Sequence, residues 1–268
     1  MVMGPSRTLA AVGAATRLVT GRGAAAGGVV LAYHDVGPAG SASGWSVGVD
    51  LLEAHLGVLR SVGLQIVDLD VLVSRLLASE PVNHLAAVSF DDALIGVHDH
   101  ALAVLVAREV PATVFVVSGG HGQPPAWWSG ARRTMTTTEI GRVRDAGVAI
   151  GAHTRSHPSL PGLSCEALSE EVAGCRAELR ELTGSTVDLL AYPSGHHDAR
   201  VRRAAGDAGF RAGFTFLNGR ITSADDPLRL PRLTMGAHLS PARLRYHLLR
   251  TARSWPDHQL DRVGDKDR

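Results

Sequence analysis

The sequence predicts an α/β protein, a distorted (β/α) barrel of about seven parallel strands in a single domain, and three observations carry that prediction. Short apolar, β-branched segments alternate with longer segments of helical periodicity, the pattern of parallel strands joined by crossover helices. No internal repeat and no linker divides the series. No GxGxxG or GxxxxGK[ST] phosphate signature follows any strand, which argues against the runner-up, a doubly wound open sheet built for a nucleotide.

Taken in order, residues 1–27 read as a loosely ordered lead-in and residues 28–255 as the barrel. Val29-Val30-Leu31-Ala32-Tyr33 is the first expected strand. A helix over 49–62 follows, with Leu51, Leu52, His55 and Leu59 near one face. A short strand over 64–67 and a helix over 68–77 come next. Ala86 to Phe90 is a strand, and 97–108 a helix. Thr113 to Val117 is the clearest strand, β-branched and bounded by Pro111 and Gly119-Gly120. A helix over 137–146 closes at Gly147, and 148–152 is a strand. Ser164 can cap the next helix, whose Leu168, Val172, Cys175, Leu179 and Leu182 recur at helical spacing before Gly184 stops it. Leu189 to Tyr192, 212–216 and 228–233 are the remaining expected strands, with helices over 198–208 and 241–250. Residues 256–268 form a charged tail expected to fray.

Composition narrows the function. The chain has 268 residues, 45% of them apolar, and a formal net charge of +1. Nothing there points to nucleic acid or an anionic membrane surface. No run approaches the ~20 apolar residues of a membrane span. Thr8 to Thr16 is Ala-rich after Arg7 and faintly resembles a signal peptide, but Arg17 interrupts it early. The expected location is therefore cytoplasmic, with export or peripheral membrane association as the alternative. Cys165 and Cys175 lie on one helix, about 15 Å apart along its axis and beyond disulfide reach.

The strand exits hold the chemistry. In a β/α barrel, active-site groups sit where strands run out into their helices. The first strand exits into His34-Asp35, the Ala86 strand into Asp91-Asp92, the Ile150 strand into His153 and His157, and the Leu190 strand into Tyr192-Pro193-Ser194-Gly195. Successive strand residues face opposite ways, so two adjacent acids need a bend if both are to serve one site. A bland reading of the acids is a solvated loop start or a helix cap. His153 and His157 are four apart, but Pro158 disfavours helix at His157 and no His-Glu-x-x-His is present, so they belong to a turn. Two His and a carboxylate are a common donor set for zinc or another divalent ion. Trp127-Trp128, in a Pro/Gly-rich loop, can stack on a sugar, cover the barrel mouth or pack on a neighbour.

Ser89-Phe90-Asp91-Asp92-Ala93 resembles the [TS]-F-D-D-G motif of the polysaccharide deacetylases, the NodB-homology or carbohydrate esterase family four proteins. His153-Thr154-Arg155-Ser156-His157 matches their second motif, H-[ST]-x-x-H, and Ala191-Tyr192-Pro193-Ser194-Gly195 resembles the third. The likeness runs from about Val29 to Leu233. It implies Asp91 as the catalytic base, Asp92, His153 and His157 as ligands of one divalent metal, and backbone around Pro193-Ser194 as an oxyanion donor. Zinc is the first choice of metal, with Co, Ni, Mn or Fe as alternatives. Leu31-Ala32-Tyr33-His34-Asp35-Val36 resembles the start of the subgroup containing biofilm poly-N-acetylglucosamine deacetylases, which nominates His34 as general acid. His238 is the rival acid, and Asp35 could orient the His34 ring or cap a turn.

The implied activity is metal-dependent removal of the N-acetyl group from an acetamido-sugar, small or lipid-linked, with release of acetate. The residues themselves imply only hydrolysis of an amide or ester. The rivals are a metal hydrolase acting on a non-sugar metabolite and a non-catalytic carbohydrate-binding relative. Two departures stand out. Ala93 replaces the usual Gly after the acids. The Arg that orients the base in many members has no counterpart just before Tyr192-Pro193.

Overall fold

The computed structural model describes residues 27–41 and 43–250. The expectations for the N-terminal Ala-rich stretch and the charged tail lie outside these residues. The strands are β1 (Val29–Tyr33), β2 (Asp35–Gly37), β3 (Ser46–Gly48), β4 (Gln65–Ile66), β5 (Leu85–Phe90), β6 (Thr113–Val116), β7 (Ala149–Ala152), β8 (Leu189–Ala191), β9 (Ala212–Phe214) and β10 (Leu233–Thr234). The helices are α1 (Val49–Ser61), α2 (Leu69–Leu77), α3 (Leu102–Ala107), α4 (Thr137–Asp145), α5 (Cys165–Ser169), α6 (Cys175–Thr183), α7 (Ala199–Asp207) and α8 (Pro241–Leu249). A π-helical turn over Val97–Ala101 leads into α3, and another over Glu170–Gly174 joins α5 to α6.

The expected alternation is present. The main sheet runs β10-β1-β5-β6-β7-β8-β9, all parallel, with β4 attached to the lower end of β5. It curls into a distorted barrel. The seam between β9 and β10 carries no ladder. A single bridge, Phe214 with Leu230, spans it, and Thr215 N–H donates to the Leu230 carbonyl at 2.9 Å. The last strand is accordingly shorter and later than 228–233, because that stretch crosses the seam instead of pairing with β1.

Burial on both faces explains the near-continuous apolar strands. β1 and β5 are buried along their whole length. One apolar cluster packs α1, α3, α4 and α6 against the outside of the sheet, through residues such as Leu52, Leu105, Ile140 and Leu179. A second holds Phe115, Phe214 and Leu230 with Leu72 and Val73 of α2. Thr136 caps α4 with a reciprocal Glu139 box, and Asp198 caps α7. His55 is a core residue, held by Tyr33 Oη at 3.1 Å and the Leu239 carbonyl at 2.7 Å. A small parallel pair, β2 with β3, was absent from the sequence expectation and extends the exit of β1.

Candidate active site

The two acids at the exit of β5 are separated by the backbone. Asp91 N–H still donates to the Tyr33 carbonyl at 2.8 Å, so Asp91 continues the ladder with β1. Asp92 and Ala93 then turn in the left-handed region, at φ 67° and 52°. That turn is the required bend, and Ala93 makes it without the usual glycine, in a conformation L-residues rarely adopt.

Asp92 meets the histidines. Its Oδ1 lies 3.6 Å from His153 Nε2 and 3.4 Å from His157 Nε2, and one donor atom from each of the three residues falls within 4.8 Å of the others. His153 Nδ1 donates to the Ala191 carbonyl at 2.7 Å, which fixes the tautomer whose Nε2 carries a free lone pair on the side facing Asp92. Thr154 Oγ1 accepts from His157 N–H at 3.1 Å and ties the two ligand positions together. Trp127 stacks on the His157 ring at 4.7 Å and donates its indole N–H to Asp92 Oδ1 at 3.0 Å. Trp127 is thus a wall of the site.

The electrostatics fit a bound cation. Burial pushes the His157 pKa down to about 3, with the His153 charge adding to it, so its ring is a neutral lone-pair donor. Burial raises the Asp92 pKa above its ordinary value, outweighing the opposing pull of His153 and His34. Among the described residues, the basic groups within ion-pair distance of Asp92 are these two histidines. A divalent ion suits that donor set of one carboxylate oxygen and two imidazole nitrogens.

Asp91 is served differently. Arg232 Nη1 donates to Oδ1 and Nη2 to Oδ2, each at 2.7 Å, and both side chains are fully buried. Nη1 also reaches Ser89 Oγ at 3.2 Å, and Nε the Thr215 carbonyl at 3.2 Å. The guanidinium lies 5.5, 5.9 and 5.3 Å from the ring centroids of Phe115, Phe214 and Phe216, within cation–π range. Burial would raise the Asp91 pKa, but the charge and hydrogen bonds of Arg232 outweigh it and hold the carboxyl well below the usual range. No arginine stands just ahead of Tyr192, and the one that reaches Asp91 comes from the seam beside β10. Sequence reasoning missed Arg232, one of two arginines in the stretch 228–233, although an Arg that is buried needs an anion beside it.

His34 lies beside these acids. It is buried, with its ring 5.7 Å from Trp45, 5.9 Å from Trp128 and 5.6 Å from Phe216. Its Nδ1 has no hydrogen-bond partner among the described residues. Burial lowers its pKa, outweighing the pull of Asp91 and Asp92, so the ring rests neutral. Asp35 does not orient it. Asp35 takes Arg132 Nε at 2.9 Å and Nη2 at 2.7 Å, with Ser46 Oγ at 3.3 Å. Gly96 packs against that ion pair, where a Cβ would clash with both partners. His238 is exposed and edge-on to Trp45 at 6.1 Å. Trp45 and Trp128 line a groove of about 490 Å³ that also includes Asp35, Ser46 and Arg132.

Ser194 is exposed and left-handed at φ 53°. The N–H groups of Gly195 and His196 turn back to the Tyr192 and Pro193 carbonyls. That leaves the Ser194 N–H as the turn's candidate oxyanion donor. His196 meets Ser159 Oγ at 3.0 Å and His197 stacks on Tyr192 at 5.3 Å, so both belong to the loop and not to the ligand set.

Known proteins carry the same arrangement of chain. A sequence profile described as polysaccharide deacetylase matches residues 79–213. The protein YxkH of Bacillus subtilis (strain 168) is 21% identical over 79% of this chain and 72% of its own length. IcaB from Ammonifex degensii superposes with a TM-score of 0.73 at 24% identity, covering 85% of this chain and 99% of that one. The Streptococcus pyogenes deacetylase PplD, solved in complex with acetate, gives 0.71 at 21% identity, over 83% of this chain and 97% of that one. Since the profile spans half of the sequence and includes both the Asp91-Asp92 turn and the His153–His157 loop, the chain belongs to the polysaccharide deacetylase family.

Proposed function

We propose that this carbohydrate deacetylase is metal-dependent and hydrolyses the N-acetyl group of an acetamido-sugar, releasing acetate and a free amine. The observation that carries the reading is the split of the two adjacent acids. Asp92 converges with His153 and His157 on one point, while Asp91, clamped by Arg232, stays out of that set. A divalent ion held by Asp92, His153 and His157 would polarise the acyl carbonyl and acidify a water.

The chain's own groups supply the rest. Asp91 is ionised at every working pH and takes the water proton. The Ser194 N–H faces the developing oxyanion. His34 protonates the leaving amine. Burial lowers the His34 pKa, which favours release of its proton to the leaving amine. Trp45 and Trp128, beside His34 and along the groove, offer apolar faces to a sugar ring.

The test is acetate release from a panel of N-acetylated mono- and oligosaccharides and aryl acetates, with the metal removed by chelation and then restored. Loss of turnover on chelation and recovery with a divalent ion are expected. Full activity after exhaustive chelation would overturn the metal requirement. Turnover of simple amides with none of the sugars would overturn the substrate class.

A further inference from the structure

We propose that Glu171 is a positioning residue that holds the 153–157 loop in its ligand-bearing shape and so sets the affinity of the site for its metal, an inference that rests on the metal-dependent reading above. The loop leaves β7 at Ala152 and has to aim two imidazoles at one point within five residues. It does so with Thr154 and His157 both left-handed, at φ 65° and 62°. A β-branched threonine and a histidine adopt that conformation only where the surroundings hold them.

Those surroundings are specific. The Thr154 and Arg155 carbonyls accept from Ser118 and Gly119 N–H at 3.1 and 2.8 Å, which fastens one edge of the loop to the exit of β6. Glu171 fastens the other. Its Oε2 accepts from the backbone N–H groups of Arg155 and Ser156, each at 2.9 Å, and its Oε1 accepts from Ser156 Oγ at 2.5 Å. One carboxylate thus gathers the two consecutive amides that lie between the left-handed residues, an arrangement suited to an anion. Without it, those amides lose the acceptor that opposes relaxation of Thr154 and His157.

Glu171 sits inside the π-helical turn between α5 and α6, and such local widenings of a helix recur at functional sites. Glu178, further along the same helix, provides a contrast. It takes Arg155 Nε at 2.9 Å and Ser118 Oγ at 2.5 Å, both side-chain groups, whereas the Arg155 and Ser156 amides go to Glu171. Glu171 touches no donor atom of the Asp92–His153–His157 set, so it acts through the loop.

The experiment measures the zinc dissociation constant of the full chain by competition with a chromophoric chelator, alongside the melting temperature of the metal-free protein. Glu171→Ala is expected to weaken zinc binding roughly 10–100-fold, the usual effect of removing an outer partner of a ligand. Glu171→Gln, whose amide oxygen still accepts from the two N–H groups, is expected to recover most of that loss. Glu178→Ala is expected to bind zinc like the parent. A purely structural Glu171 would lower the metal-free melting temperature and leave the dissociation constant unchanged, which overturns the proposal. An equal loss in Glu178→Ala also overturns it. Should Glu171→Ala fail to fold, Glu171→Asp keeps the charge and shortens the reach by a methylene. Weaker zinc binding there supports the proposal, and parental binding overturns it. A parent that binds no zinc would remove the proposal together with the metal-dependent reading, whereas a parent and an alanine variant that bind equally remove the proposal alone.

Discussion

Asp91 gives both its oxygens to Arg232, whereas Asp92, the next residue, faces two imidazoles and an indole N–H. Both carboxylates are buried, and burial alone would push both toward the neutral form. The protein supplies the countercharge for one and leaves the other to find it from outside. On the proposed reading, one strand exit therefore yields a countercharged anion that acts on a proton and a second anion that takes a metal cation. The two left-handed residues at Asp92 and Ala93 make the division possible, because they turn the second side chain out of the plane of the first.

Exchanging the two acids in turn is the strongest way to break this contrast. Asp91→Asn is expected to abolish turnover and leave metal content at the parental level, while Asp92→Asn loses the metal itself. Elemental analysis beside acetate release distinguishes them, and equal metal loss in both would erase the division of roles. His34→Ala sharpens the contrast from the product side. It is expected to cut amide hydrolysis by roughly 10²–10⁴-fold with metal content unchanged, and to cost far less on an aryl acetate, whose leaving group needs little protonation. A loss of the same size on both substrates would make His34 a substrate-positioning group instead, and an amide-selective loss in His238→Ala would move the acid there.

Stability measurements read the Asp91 side. Arg232→Met leaves Asp91 buried and unpaired, so a loss of about 3–5 kcal/mol in denaturant unfolding is expected, with much of it recovered by adding Asp91→Asn. If the double variant were no more stable than the single one, the buried pair would not be the source. The acid dependence follows from the same pair. Arg232 holds the folded Asp91 pKa below its unfolded value of about 4, so in acid the unfolded chain binds the extra proton. The stabilisation is complete above about pH 4 and is lost as pH falls toward the folded value. Asp91→Asn should therefore be less stable at neutral pH yet show a shallower decline in acid, and a parental slope in that variant would contradict the assignment. The smallest effect concerns the turn. Ala93→Gly relieves a left-handed alanine and is expected to change stability by no more than about 1 kcal/mol, with activity retained.

The alternation of strands and helices, and the polar groups at four strand exits, were legible because each is a local pattern. β5 and β7 read as apolar runs ending in Asp91-Asp92 and His153, and the structure brings those exits together. Arg232 was not legible in the same way. Its partner lies far away in sequence, and the apolar stretch around it looked like an ordinary strand, whereas it crosses the seam and pairs only at Leu230 and beyond Arg232. Asp35 misled for a related reason. Its adjacency to His34 left it open between orienting that ring and capping a turn, and β2 carries it away to Arg132. Trp127 was one of several open readings, and only the fold shows it on both His157 and Asp92.

The unladdered seam has a consequence for how the protein comes into being. As the chain emerges from its N-terminus, strands β1 through β9 can assemble while Asp91 is still without its cation, since Arg232 arrives near the end. Arg232 then joins three residues from two places at once, Asp91 and Ser89 at the end of β5 and Thr215 beyond β9. Closing the barrel and pairing Asp91 are one event. A chain clipped ahead of Arg232 keeps Asp92, His153 and His157 in its sequence but lacks the guanidinium that pairs Asp91, so on the proposed reading it would hold the metal ligands without a countercharged base.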